Sequence, residues 1–85
     1  MTIYVDDLRE WMGKSWCHMV STNAAELEQM AVGHLGLREI EAMKDPEYGY
    51  TYYNITPKQR AAVLRLGGRE ITTEKLLARA KEVDR

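Results

Sequence analysis

The 85-residue chain has one cysteine, two prolines and no phenylalanine. Cys17 has no second thiol with which to form an internal disulfide, a zinc knuckle or a redox pair, and this fits a reducing compartment. No apolar run nears membrane-spanning length, and Asp6-Asp7 interrupts the N-terminal stretch before a signal peptide could form, so the expectation is a cytoplasmic protein with no membrane role. Walker loop, dinucleotide glycine fingerprint, His-Glu-x-x-His, nucleophile elbow and RNA-recognition signature are all missing, as are internal repeats and low-complexity tracts.

What remains is an ordinary globular composition, 45% hydrophobic and 29% charged, sized for one domain over residues 1–85. A chain this short buries only roughly 60% of the surface its unfolded form exposes, so modest monomer stability and self-association are both expected. The net charge of −1 conceals an asymmetry. Residues 1–50 carry nine acids against four Lys and Arg, and residues 51–85 carry eight Lys and Arg against four acids. The basic excess gathers at Lys58, Arg60, Arg65 and Arg69, either as a solvated helix face or as an anion site.

Periodicity and punctuation predict the order β-β-α-β-β-α-β-α, an α+β domain of about five short strands and three helices. Thr2–Val5 reads as a strand ended by Asp6-Asp7, and Trp16–Val20 as a second strand after the turn Gly13-Lys14-Ser15; a hairpin or a longer loop joins them. Asn23 starts a helix, with Glu26 placed to satisfy the cap's own N–H, and Leu27, Met30, Ala31 and His34 share its apolar stripe up to Gly36. The alternation from Leu37 to Met43 predicts a strand with one wet face, and Tyr50–Ile55 a fourth strand. Thr56-Pro57-Lys58-Gln59 is a capping box with proline at the first helical position, opening a helix that buries Ala62, Val63 and Leu66 and stops at Gly67-Gly68. Arg69–Ile71 is a short strand, and Thr72 or Thr73 caps a last helix with Leu76, Leu77, Ala80 and Val83 inward.

The segments Tyr4-Val5-Asp6-Asp7, Cys17-His18-Met19, Arg60-Ala61-Ala62 and Gly68-Arg69-Glu70-Ile71-Thr72, in this order along nearly the whole chain, resemble the bacterial and phage family called domain of unknown function 4031. The resemblance implies the fold, a cytoplasmic location and a phage or bacterial source, and brings no established activity. Members of that family tend to show His-Tyr-Asp-Leu just before the second helix, where this chain has Tyr52-Tyr53-Asn54-Ile55. If that His and Asp serve metal or acid-base chemistry in relatives, their absence here favours binding over catalysis.

Three functional readings follow from the residues. In the first, Tyr50, Tyr52 and Tyr53 with Trp11 and Trp16 form a stacking surface, and Lys58 and Arg60 meet a phosphate at a helix start. His18, Tyr52, Asn54, Lys58 and Arg60 are then the binding residues for a small anionic or nucleotide-like ligand or a short nucleic acid; the acidic N-terminal half argues against long nucleic acids. The competing explanation is that the aromatics fill a core without phenylalanine. In the second, Asp6, Asp7 and His18, with Asn54, hold a divalent metal that activates water for hydrolysis, against the simpler role of Asp6 and Asp7 in capping a turn. In the third, Trp11, Met12 and the edge near Leu37–Glu41 serve a homodimer or a host protein partner. Cys17 is better suited to burial than to nucleophilic work.

Overall fold

The computed structural model describes residues 3–47, 49–76 and 78. Its centre is one long strand, β3 (Lys14–Ser21), against which most of the sheet is built. Preceding it are β1 (Ile3–Val5) and β2 (Arg9–Trp11), both antiparallel to β3 along the same side. On its other side β3 pairs with β5 (Thr51–Ile55), which pairs in turn with the two-residue β4 (Met43–Lys44). Parallel to β1 runs β6 (Arg69–Glu70), giving the order β4-β5-β3-β1-β6, with β2 continuing along β3 beyond β1.

The β1–β2 arm is one broken strand. Val5 opposes Met19 and Arg9 opposes Trp16, so Asp6, Asp7 and Leu8 stand across from only Cys17 and His18. One extra residue on one side is a β-bulge, which interrupts the ladder and frees backbone groups. The bulge explains why Arg9–Trp11 is a strand where the sequence reads a turn after Asp6-Asp7: pairing resumes on the same partner strand once the extra residue is accommodated. At the far end, Trp11 pairs with Lys14 across a two-residue turn in which Met12 and Gly13 have φ of 52° and 78°. Positive φ at both central positions is what a type I′ hairpin turn requires, and methionine is a poor occupant of the first. Met12 is 82% exposed and spends nothing on packing there. Met12→Asn is expected to raise stability by up to about 1 kcal/mol, read as a higher denaturation midpoint with an unchanged slope.

The first helix, α1 (Ala24–Glu28), begins where expected: the Asn23 side chain accepts from Ala25 N at 2.9 Å and Glu26 N at 3.1 Å. The cap's own N–H donates to Ser21 Oγ at 3.0 Å rather than to the predicted Glu26 carboxylate. From Gln29 to His34 the helix widens into a π-type turn, with Leu35 N donating to Met30 O. The wider winding carries His34 off the stripe: Leu27, Met30 and Ala31 are buried as predicted, but His34, expected in the core or at an interface, is exposed and not in the core. Residues 37–43 do not form the predicted strand. Glu39–Glu41 make a 3₁₀ turn, and Arg38 N donates to Glu41 Oε2 at 2.8 Å; only Met43 and Lys44 reach the sheet. The capping box of α2 (Pro57–Arg65) is present in both directions, Thr56 N to Gln59 Oε1 at 2.9 Å and Gln59 N to Thr56 Oγ1 at 3.2 Å. Val63 is fully buried and Ala62 half-buried, whereas Leu66, at the helix end, is exposed rather than inward.

Strand alternation divides the sheet cleanly. Ile3, Val5, Cys17, Met19, Tyr53 and Ile55 face α1 and α2 and form the main core with Leu27, Met30, Ala31 and Val63. On the opposite face Tyr50 and Leu76 pack with Val20, Tyr52 and Ile71. Leu76 belongs to a helical turn at 73–76 capped by Thr72, whose Oγ1 accepts from Lys75 N at 3.2 Å. Of the residues predicted inward on that last helix, Leu77, Ala80 and Val83 lie outside the described residues. Among the described residues no helix is long and apolar enough to cross a membrane.

Candidate functional site

The Leu76 segment covers only one end of the second sheet face, and the other end opens into a pocket of about 530 Å³. Strand pleating assigns its wall. On β3, Trp16 and His18 alternate with the core residues Cys17 and Met19; Asn54 stands opposite His18, Arg9 opposite Trp16, and Met43 opposite Tyr52. Trp11 and Glu10 complete the lining from β2. The His18 imidazole stacks on Tyr52 with ring centroids 4.1 Å apart and planes 27° apart, and Tyr50 lies tilted against Tyr52 at 5.6 Å.

Burial pushes the His18 imidazole below its ordinary pKa, helped by the Arg9 guanidinium. A lowered value means that the unfolded chain takes up a proton first as pH falls, so stability is lost from about pH 6.5 downward, through the ordinary histidine range. His18→Phe, which keeps a ring against Tyr52, is expected to flatten this acid limb in melting temperature measured from pH 7.5 to pH 5. An acid limb of equal slope in the variant would assign the loss to other groups.

Beneath the pocket lies Asp6, whose side chain is fully buried at the bulge. Its Oδ1 accepts from His18 N at 2.7 Å, replacing the strand carbonyl that the bulge removes, and its Oδ2 takes the Arg9 guanidinium and Thr73 Oγ1 at 3.2 Å. The Asp6 carbonyl accepts from Arg60 Nε at 3.0 Å. Asp7 points elsewhere on the same segment, accepting from Thr73 N at 3.3 Å. The two carboxylates therefore hold the start of the last helix, and Asp6 also holds His18 and Arg9. Among the described residues no group of three His, Cys, Asp or Glu is placed to hold a metal ion.

The structure brings His18, Tyr52 and Asn54 together, with Trp11 and Trp16, and keeps Lys58 and Arg60 of α2 away from them. Arg60 lies on the helix-covered side, its side chain 15% exposed and paired with Glu70 Oε1 at 3.2 Å; Lys58 is exposed at the start of α2. Tyr53 also faces the core rather than Tyr52's side. The cation of the pocket is Arg9, which sequence reasoning missed. Its signal was the Arg9-Glu10-Trp11 alternation running into Met12-Gly13, which puts Arg9 and Trp11 on one face of a hairpin arm. Cys17 is buried on the opposite face, and desolvation, with Asp6 nearby, raises its thiol pKa to about 11, far from a reactive thiolate.

The family profile described as protein of unknown function, DUF4031, matches residues 3–83. The chain belongs to that family. Comparison with curated proteins and with solved structures finds no match. In this DUF4031 protein Tyr52 and Asn54, both on β5, line the pocket beside His18.

Proposed function

We propose that this protein binds a planar, negatively charged small molecule of nucleotide type in the pocket over His18 and Tyr52. The observation that carries this reading is the convergence of four aromatic rings, an amide and a guanidinium on the uncovered end of one sheet face. Rings offer sequence-tolerant stacking to any base, the Asn54 amide offers paired donor and acceptor groups to a base edge, and Arg9 offers an anion contact. Arg9 is 44% exposed at its side chain while bonded to Asp6, so one end of its guanidinium is fixed and the group still reaches solvent.

Both tryptophans of the chain line the pocket, so intrinsic fluorescence reports its occupancy directly. Titration with AMP, GMP, CMP and UMP is expected to give saturable quenching with at least one of them. Tyr52→Ala is expected to weaken that binding roughly 10-fold, since base–aromatic stacking contributes about 1–3 kcal/mol per base. Arg9→Met is expected to abolish the preference for the monophosphate over its nucleoside. No saturable quenching by any of the four up to millimolar concentration would remove the proposal.

A further inference from the structure

We infer that the pocket, continued by Lys14 just outside its lining, is a track, and that its occupant is a short single strand of nucleic acid, two or three nucleotides long. This rests on the nucleotide-type reading of the pocket. The pairing register lays out three rungs along β3 on the uncovered face: Trp11 with Lys14, Arg9 with Trp16, and Asn54 with His18, the last stacked on Tyr52. Each rung thus offers a ring beside a cation or an amide. Successive rungs are two residues apart, about 6.8 Å at the strand rise of about 3.4 Å per residue. That is roughly twice the 3.4 Å spacing of stacked bases along one duplex strand, so a base can sit at each rung only if it is unstacked from its neighbour, with a side-chain ring filling the gap. A duplex reaches this spacing only by unstacking its base pairs, at a cost of about a few kcal/mol per step that an already unstacked single strand avoids, and a mononucleotide covers one rung only. The outermost rung is open for such use, Trp11 being 67% exposed.

Charge fixes the length. By alternation Arg9 and Lys14 lie on this face, and Glu10, which borders the pocket, pairs with Ser15 on the intervening rung. Two cations accommodate about two phosphates, predicting a shallow salt slope of about −1.4 in log K against log salt.

The test compares thymidine monophosphate, a trinucleotide in ribose and deoxyribose versions, and a 15-base-pair duplex, all by tryptophan fluorescence of the full chain. The tighter of the two trinucleotides is expected to bind about tenfold or more better than the monophosphate, and the duplex far more weakly. Lys14→Ala, at an exposed position outside the pocket lining, is expected to bring the trinucleotide down to the affinity of the monophosphate while leaving the monophosphate unchanged, and Trp11→Ala, within the lining, to weaken both. Equal binding of monophosphate and trinucleotide overturns the track and leaves the single-nucleotide pocket standing. Duplex binding as tight as single strand, or trinucleotide binding indifferent to both substitutions, also overturns it. No binding by any probe removes both readings.

Discussion

Replacing Asp6 with alanine is expected to cost about 3 kcal/mol of stability, a large share of what a domain of this size holds. The carboxylate is fully buried and receives three donors from three parts of the chain: His18 N of β3, the Arg9 side chain of β2 and Thr73 Oγ1 at the start of the last helix. Removing it leaves the His18 N–H without an acceptor, because the bulge has already taken away the carbonyl that a regular ladder would supply. Arg9 can return to water, which keeps the loss at the lower end of the range for broken buried pairs. In a domain of this length about 3 kcal/mol corresponds to a melting temperature lower by roughly 12–24 °C. Asp7→Ala, which removes one long bond from an exposed side chain, is the control and is expected to stay within about 0.5 kcal/mol of the wild type. Asp6→Asn keeps an acceptor for His18 N but weakens the hold on Arg9, so it should fall between the two. A melt of Asp6→Ala within a degree or two of the wild type would show that the bulge holds its register without the carboxylate.

The same carboxylate links stability to the proposed site. Asp6 fixes the backbone of His18 and the guanidinium of Arg9, two residues that line the pocket, without lining it itself. A variant at Asp6 is therefore a poor probe of binding, since it disturbs folding and the site together. Tyr52, Trp11 and Lys14 separate the two, being outside the main core.

Much of the fold was legible because its signals are local. The Thr56/Gln59 box and the Asn23 cap are contacts between residues two or three apart, so sequence spacing determines them. Leu37–Glu41 shows the converse. Arg38 and Glu39 together separate Leu37 from Ile40, an apolar spacing of three rather than two that suits a 3₁₀ turn, and the Glu41 carboxylate satisfies the Arg38 N–H locally. Arg9–Trp11 was illegible for the opposite reason: it is a strand only because β3, reached through a later turn, is long enough to pair on both sides of a bulge. The site divides the same way. His18, Tyr52 and Asn54 were named from residue type and from the family resemblance, and pairing of β3 with β5 is what puts them on one face, whereas the assignment of Lys58 and Arg60 to the same site needed to know which sheet face α2 covers. That is set by the packing of Val63 against the core, not by spacing.

Gly68→Ala is expected to destabilise by about 2–3 kcal/mol, although one methyl group is all it adds. The helix α2 ends with Gly67 at φ 103°, the left-handed position that glycine adopts without strain, and the chain then folds back so that Gly68 N donates to Val63 O at 2.9 Å. That return presses Gly68 against the last turn. A Cβ there would stand 2.5 Å from Val63 Cγ1 and 3.0 Å from Val63 O. Neither neighbour can give way cheaply. Val63 is fully buried, and a β-branched side chain in a helix has one strongly preferred rotamer, so its methyl cannot swing clear. Its carbonyl accepts the bond that closes the helix, so moving it sacrifices the cap. The chain just beyond is β6, whose Arg69 and Glu70 pair with Tyr4 and Val5, so a shift at Gly68 would also pull on the sheet beside Asp6. Chemical denaturation of Gly68→Ala beside Gly67→Ala measures the two causes separately: steric overlap at position 68, and at position 67 backbone strain alone, with open space around the new methyl. The larger loss is expected at Gly68, together with faster amide exchange in β6; equal stability of Gly68→Ala and wild type would mean that the helix end and β6 move apart freely, contrary to the packing described.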